Sequence, residues 1–407
     1  MSTSFRVRPW QTVTLVIVAG CIISAMSFGP RSAMGLFFTP ITEARGWSRE
    51  IFALAIAIQN VVWGAGQPMA GAIADRYGTA RVLVGGAMLY AAGLALTAWA
   101  PTPLWLHLGA GVLIGLGVAS CSFTIVLAAF GRFVTPERRS VAFGIGTAAG
   151  SFGQFLFAPL GQHLIEAAGW QQALTLLGVM MLAIPLLAVA LMGKPQGGPD
   201  ASGRDQSIFE AISEAFGYRS FVLLVAGFFV CGFQLAFVTT HLPPYLSDIG
   251  LDPALGAWAI ALIGLFNIVG SLASGYIAGR HSKPVFLSLI YLARAVVIAL
   301  FVLLPPSPVT VLVFSASLGL LWLSTVPPTS GLVAVMFGPR YLATLFGFVF
   351  FSHQVGAFLG VWLGGRLYDM YQSYDVVWWL GVALSIFAAI VHWPIREQPV
   401  ERLAAAE

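Results

Sequence analysis

Residues 71–81 read Gly-Ala-Ile-Ala-Asp-Arg-Tyr-Gly-Thr-Ala-Arg, and residues 275–283 read Gly-Tyr-Ile-Ala-Gly-Arg-His-Ser-Lys. Gly71, Ile73, Ala74 and Arg76 thus return as Gly275, Ile277, Ala278 and Arg280, each 204 positions later, half the length of a 407-residue chain. A second set returns with a shift of 203: Gly144 as Gly347, Gly153 as Gly356, Phe155 as Phe358, Leu156 as Leu359, Leu160 as Leu363, Gly161 as Gly364 and Leu164 as Leu367. Among 45 glycines a single match means little, but a constant offset does not arise by chance. The chain therefore reads as a duplication, with one half over residues 1–193, a polar linker over 194–218 and a second half over 219–407.

Both quoted loops are short basic interruptions between long apolar runs. The chain is 58% hydrophobic and 9% charged, against roughly 25% charged residues in an average soluble protein. That apolar content exceeds what one core can bury, and the surplus must face lipid. A bilayer core of about 30 Å asks for about 20 apolar residues of helix. Charge-free stretches of that length run over residues 51–74, 82–131, 141–165, 167–193, 220–247, 253–279, 341–365 and 376–395. Pro101-Thr102-Pro103 splits the second of these, and Pro305-Pro306-Ser307-Pro308 splits the run over 295–339; both are turn signals. With a first segment over 12–38 and another near 284–304, twelve spans are expected. The runs are continuous rather than alternating, which excludes a barrel, and the first is too long for a cleavable signal.

Lys and Arg set the orientation. With a cytoplasmic N-terminus and alternating spans, the inside holds Arg6, Arg8, Arg76, Arg81, Arg132, Arg138, Arg139, Lys194, Arg204, Arg219, Arg280, Lys283, Arg340, Arg396 and Arg402. The outside holds only Arg45, Arg49 and Arg366. Both termini are therefore expected in the cytoplasm, and the protein in the cell (inner) membrane. The linker opens with Gly197-Gly198-Pro199, and Ser207-Ile-Phe-Glu210 then fits a capping box before a short amphipathic helix with Ile208, Phe209, Ile212 and Phe216 on one side. That helix is expected along the cytoplasmic face.

The loop over 71–81 resembles the cytoplasmic motif between the second and third helices of the major facilitator superfamily. The resemblance covers the whole chain. It implies an all-α membrane protein with twelve transmembrane helices in two pseudo-symmetric six-helix halves. It also implies that Asp75, Arg76 and Arg81 clamp neighbouring helix ends and hold one face closed. The second copy lacks the acid. Within that superfamily, Phe28-Gly-Pro30-Arg31-Ser-Ala-Met-Gly-Leu-Phe-Phe-Thr-Pro-Ile, then Gly46-Trp47-Ser48-Arg49, is similar to the pattern of the monocarboxylate and oxalate:formate carrier group. Gly169-Trp170 fits as well. The likeness implies a small carboxylate substrate.

An arginine at mid-membrane costs roughly 2.5–3.5 kcal/mol on insertion scales. Arg31 and Arg294 fall inside expected spans, while all 16 acidic residues fall in loops or termini. The offset must come from something other than a carboxylate at the same depth, and a cation lining a watery cavity is what an anionic substrate requires. Pro30 cannot donate a backbone bond, so the turn carrying Arg31 is expected to kink, which is tolerated where backbone lines a cavity. Two readings stand for Arg31: substrate contact, favoured by its match to the carrier group, and snorkelling to the interface. For Arg294 they are substrate contact and a structural role on backbone carbonyls freed elsewhere. His353, beside Gln354, stands where the duplicated span has Gly150; it is either a substrate or proton group or a packed helix histidine.

Gly264-Leu-Phe-Asn267-Ile-Val-Gly-Ser271 lines up with the eighth-span pattern in which proton-coupled carriers have an Asp and, four residues on, an Arg. Without that acid the group's proton relay does not carry over. Gln59, Asn60, Gln154 and Gln234 read as cavity-lining groups or as helix-to-helix hydrogen bonds. Ser324-Thr325-Val-Pro327-Pro328 breaks the tenth span, freeing the carbonyls of Leu323 and Ser324, as a gate or hinge would. Trp322 beside it packs either on ligand or on lipid.

No buried acid pair, HxxxH or HExxH supports a membrane enzyme. Cys21, Cys121 and Cys231 form no CxxC or His/Cys cluster, so no metal, cofactor or disulfide framework is expected. The basic residues are spread by topology and give no nucleic-acid stripe. The expectation is a secondary transporter that moves a small organic anion by alternating access, its carboxylate held by Arg31 and His353. Its partners are that anion, the lipid bilayer, and a coupling proton or exchanged anion. The alternative is an efflux carrier for a hydrophobic or drug-like solute, which would favour a buried Asp or Glu.

Overall fold

The computed structural model describes residues 11–134, 136–193, 207–338 and 341–400, without the side chains of residues 75, 128, 131, 132, 136–141, 143 and 343. Among the described residues every regular element is helical. In chain order these are α1 (Val13–Ser32), a 3-10 turn (Met34–Phe37), α2 (Phe38–Arg45), α3 (Arg49–Tyr77), α4 (Thr79–Trp99), α5 (Pro103–Leu106), a π-helical stretch (His107–Leu113), α6 (Ile114–Cys121), α7 (Phe123–Phe133), α8 (Pro136–Ala168), α9 (Trp170–Met181) and α10 (Ile184–Ala188). After a 3-10 turn (Val189–Leu191) come α11 (Ile208–Gly217), α12 (Arg219–Asp248), α13 (Pro253–Ala278), α14 (Lys283–Leu303), α15 (Pro308–Leu321), α16 (Val326–Phe337), α17 (Leu342–Tyr371) and α18 (Asp375–His392). Eleven stretches of the described residues are long and apolar enough to cross a membrane. The 33-residue α8 stands where the fifth of the twelve expected spans belongs. Large apolar side chains such as Val18, Trp99, Leu186, Leu272, Val313 and Trp379 are exposed, which is where the surplus apolar content goes.

The chain gathers into two compact units, Met1–Ser32 with Val62–Arg204, and Ala33–Val61 with Asp205–Glu407. In the first unit α1 crosses α8 with Gly153 directly on the backbone of Ala25: a Cβ there would stand 2.6 Å from the Ala25 Cα. One turn along, Gly29 faces the Phe157 ring. In the second unit α12 crosses α17 with Gly356 on the backbone of Phe229, and Gly360 on that of Phe233. Gly153 and Gly356 differ by 203 positions, and Ala25 and Phe229 by 204, so the same crossing occurs twice. At the next contact the partners are exchanged, Gly29 against Phe157 in one unit and Phe233 against Gly360 in the other. A third crossing also recurs, Gly66 on Leu116 and Gly270 on Leu320. In lipid, apolar surface gives helices no reason to associate, so close approach over small residues supplies the packing.

Pro101–Pro103 and Pro305–Pro308 separate helices as expected. The first span differs from expectation. It does not stop at Phe38 but passes through the 3-10 turn into α2, ending at Arg45 with Gly46 left-handed at φ 65°. Ser32 Oγ donates to the Gly29 carbonyl at 2.7 Å, just past Pro30. Two further breaks were not expected. Ser122 leaves the helical region at ψ 153° between α6 and α7, and its hydroxyl donates to the Ala119 carbonyl at 3.0 Å, replacing a backbone donor. The sixth span is interrupted between α9 and α10, where Pro185 sits in the first turn.

The capping box forms as expected. The Ser207 amide donates to Glu210 Oε2 at 2.8 Å, and the Glu210 amide to Ser207 Oγ at 3.3 Å. That bond holds the Glu210 carboxyl below its ordinary pKa. On α11, Ala211 and Ala215 are buried, Phe216 packs edge-on against Phe221 and Phe348, and Phe209 is 80% exposed. The glycine-proline opening of the linker lies outside the described residues.

Candidate functional site

Pro327 and Pro328 lack the N–H groups that would continue the helix upstream, and α15 stops at Leu321. The Leu323 carbonyl is taken by the Val326 amide at 3.0 Å in a local turn. The carbonyls that turn outward are those of Leu321, Trp322 and Ser324, one of which (Ser324) matches expectation. Arg294 of α14 claims the first two. Its Nε and Nη2 donate to the Leu321 carbonyl at 3.2 and 2.6 Å, and Nη2 also to the Trp322 carbonyl. Nη1 donates to Gln234 Oε1 at 3.3 Å. From α13, Ser274 Oγ donates to the Ser324 carbonyl, and Asn267 Oδ1 accepts from the Leu323 amide at 2.9 Å. Gln234 in turn donates to the Gly381 carbonyl at 2.9 Å and to Ser385 Oγ. A fully buried guanidinium at the C-terminal end of a broken helix is thus offset by carbonyl dipoles. This geometry gives Arg294 and Asn267 structural contacts, and Trp322 is buried at the same break.

One helix away, α17 carries His353 and Gln354. Gly232 of α12 lies on the His353 backbone, and the His353 ring stacks on Phe350 at 5.7 Å and leans on Phe228 at 5.2 Å. His353 Nδ1 donates to Gln354 Oε1 at 3.2 Å. Gln354 is fully buried, and its Nε2 finds no acceptor among the described residues. Cys231 and Thr325 meet nearby, Sγ to Oγ1 at 3.3 Å.

In the first unit, Arg31 sits in the last turn of α1 beside Pro30. Its guanidinium lies over the Trp63 ring at 4.6 Å from the centroid, with Phe28 at 5.9 Å, an arrangement that attracts a cation to the ring face. Tyr90 donates to the Ser27 carbonyl at 3.2 Å in the same kinked region. Gln154 is buried on α8. In the second unit, Gln59 and Asn60 are buried on α3, with Asn60 Nδ2 donating to the Ile56 carbonyl at 2.9 Å. In the basic loop, Arg76 is exposed over Tyr77 and Arg81 Nη1 donates to the Tyr77 carbonyl at 3.2 Å. The Asp75 side chain lies outside the described residues.

A cluster the sequence reading missed centres on Arg49, in the first turn of α3. Arg49 grips Asp248 of α12 bidentately, Nη1 to Oδ2 at 2.7 Å and Nη2 to Oδ1 at 2.6 Å. Nη1 also donates to Tyr374 at 2.8 Å, and the guanidinium lies 3.8 Å from the Tyr368 ring centroid. Asp369 of α17 caps α3 from outside, accepting from the amides of Arg49 and Glu50 at 3.1 and 2.8 Å. Glu50 accepts from Arg366 at 2.9 Å and Trp362 Nε1 at 3.1 Å. Burial and the loss of solvation push the Tyr374 phenol up, against the pull of Arg49. Sequence reading placed Arg366 only as a loop charge of the orientation rule, and Arg49 as such a charge and as part of the family pattern, with no partner named for either. The signal available was Arg49's place at the end of the Gly-Trp-Ser-Arg run.

Comparison with known proteins agrees with this architecture. The family model of the Major Facilitator Superfamily matches residues 20–361. The MFS-type transporter YcxA of Bacillus subtilis is 26% identical over 396 residues, covering 93% of this chain and 92% of the relative. Monocarboxylate transporter 13 of Rattus norvegicus is 27% identical over 377 residues, covering 88% and 83%. Among solved structures, a bacterial homolog of the human lysosomal transporter Spinster, in an inward-facing and unoccupied conformation, superposes with a TM-score of 0.71 at 18% identity, covering 96% of each chain. A D-xylose-proton symporter gives 0.71 at 13% identity, covering 94% and 97%. At these identities the structural likeness concerns the fold.

Proposed function

The chain belongs to the Major Facilitator Superfamily and is a membrane transporter rather than an enzyme, and from that premise we propose that it carries a small organic anion of the monocarboxylate kind by alternating access. The observation that carries the reading is Gln354. A buried N–H without an acceptor costs about 1–3 kcal/mol, and a carboxylate oxygen is an acceptor that removes the cost. Arg31, kept inside a span and laid over Trp63, supplies the charge. His353 supplies a second polar contact and orients the Gln354 amide through its Oε1. Similarity to monocarboxylate transporters over most of the chain supports the substrate class. A coupling proton or an exchanged anion drives the cycle. Each half is a six-helix unit of the duplication, and both termini face the cytoplasm of a cell whose inner membrane holds the protein.

The test is counterflow in proteoliposomes preloaded with small carboxylates, since exchange proceeds whatever the coupling ion. Labelled lactate or oxalate should enter saturably and stop entering in Arg31→Gln. Normal exchange by Arg31→Gln, or no exchange of any carboxylate by folded protein, overturns the proposal and turns the search to hydrophobic solutes.

A further inference from the structure

We propose that His241 is the site through which a proton acts on transport, by way of a latch formed by Arg49, Tyr374 and Asp248; the proposal rests on the alternating-access reading but not on the identity of the substrate. His241 is fully buried on α12. Its ring is pinned between Phe38 at 5.2 Å and Phe237 at 5.4 Å, and its edge fills the space over Gly364. Nε2 stands 2.8 Å from the Val361 carbonyl and Nδ1 stands 3.2 Å from the Tyr374 hydroxyl.

The donors can be assigned by what each atom is able to do. A carbonyl only accepts, so Nε2 carries a hydrogen. The Tyr374 oxygen accepts from Arg49 Nη1 at 2.8 Å, and its own proton goes to Nδ1. The chain Arg49, Tyr374, His241, Val361 is complete only with a neutral imidazole. An imidazolium has two N–H donors and no acceptor. A proton added at Nδ1 would leave the phenol hydrogen without its acceptor and set two cations on one phenol oxygen. Arg49 is the charge facing the ring from α3, and Tyr374 the titratable group facing it from the chain ahead of α18. The 3-10 turn and α2 present Phe38, and α17 presents the backbone of Val361 and Gly364. Asp248 pairs with the guanidinium, Asp369 takes the backbone amides of Arg49 and Glu50, and Glu50 pairs with Arg366.

Arg49 is also the group that binds α3 to α12. Its bidentate pair with Asp248 is the strong form of carboxylate recognition, and 16% of its side chain remains exposed. Protonation of His241 and closure of the latch therefore oppose one another. Binding a proton favours release of Arg49 and separation of the α2–α3 corner from α12 and α17. Loss of the proton favours closure. A proton that binds one conformation better shifts the population toward it.

The test uses spin labels on cysteines introduced at Ala44 of α2 and Ala254 of α13, in the full-length chain with Cys21 replaced by Ser, in lipid nanodiscs without substrate. The distance is followed from about pH 8 down to about pH 4, through and below the range in which an exposed histidine changes charge. The wild-type latch should shift toward longer distances as pH falls. His241→Gln, whose amide can still donate to Val361 and accept from Tyr374 without titrating, should keep the short distance throughout. Tyr374→Phe, which cuts the link between Arg49 and the ring, should lose most of the pH response even if His241→Gln fails to fold. An unchanging wild-type distance overturns the proposal. So does a full response in His241→Gln, which would move the proton to Asp248. Because no substrate is present, neither result depends on whether carboxylates are carried.

Discussion

Replacing Arg294 separates a structural cation from a substrate-binding one. Arg294→Met keeps most of the side-chain volume but cannot donate. The carbonyls of Leu321 and Trp322 and the oxygen of Gln234 then lose their donor at once. An orphaned buried acceptor costs about 1–3 kcal/mol, and three of them exceed the several kcal/mol of desolvation that removing a buried charge gives back. A net loss of about 2–4 kcal/mol is expected. Arg294→Lys reaches one carbonyl and should lose about half as much. Many large proteins unfold irreversibly on heating, so the assay is the half-life of folded protein at a fixed raised temperature. It should fall in the order wild type, Arg294→Lys, Arg294→Met. Carboxylate counterflow per folded molecule should remain close to wild type in Arg294→Lys. Wild-type half-life in Arg294→Met together with lost transport would refute the reasoning and place Arg294 among the substrate contacts.

Three further outcomes are expected. Gln354→Leu removes the buried Nε2 donor that has no acceptor among the described residues but also the Oε1 that accepts from His353, so gain and loss nearly cancel and its thermal half-life should stay close to wild type, while the half-saturation concentration for carboxylate exchange rises about tenfold, the equivalent of one lost hydrogen bond; unchanged exchange would contradict the role given to the amide. Gly356→Ala puts a Cβ onto the Phe229 backbone, which cannot yield as a side-chain tip can, and should cost about 1–3 kcal/mol, with Gly153→Ala matching it at the duplicated crossing; thermal half-lives equal to wild type would show that the helices part freely. The depressed pKa of Glu210 means that the capping box supports α11 above the ordinary glutamate value of about 4.3 and loses that support as pH falls through and below it; amide exchange of α11 measured across that range should quicken on acidification, and should be pH-insensitive in Glu210→Gln beyond the intrinsic rate.

Spans and their punctuation were legible in the sequence because both are local. Twenty apolar residues cross a bilayer whatever surrounds them, and a proline denies its own amide wherever it stands. The capping box at Ser207 and Glu210 follows from residues three apart for the same reason. The break at Ser122 was less legible, since a serine in an apolar run is usually harmless, as Ser271 and Thr239 are in unbroken helices although their hydroxyls also take up upstream carbonyls. The duplication could be read from a repeated offset, yet offset alone could not say which helices meet. The packing supplies that: Gly153 on Ala25 and Gly356 on Phe229 are one crossing made twice. It also shows a change no residue-by-residue match reveals, the exchange of glycine and phenylalanine between Gly29–Phe157 and Phe233–Gly360.

The charges divide in the same way. Sequence alone determined that this chain spans a membrane many times over, that it is built as a repeat, and that Arg31 and Arg294 fall within apolar runs, 12–38 and 284–304, that hold no acidic residue. Tertiary structure alone shows what Arg294 meets, because its acceptors are carbonyls about 27 residues along the chain, freed where α15 stops. It alone drew Arg49 out of the loop charges, since Asp248 lies 199 residues further along and Asp369 320. The reason is physical: hydrophobicity and backbone blocking act through each residue's own neighbours, whereas the energy of a buried charge depends on which distant dipoles folding brings within about 3 Å of it.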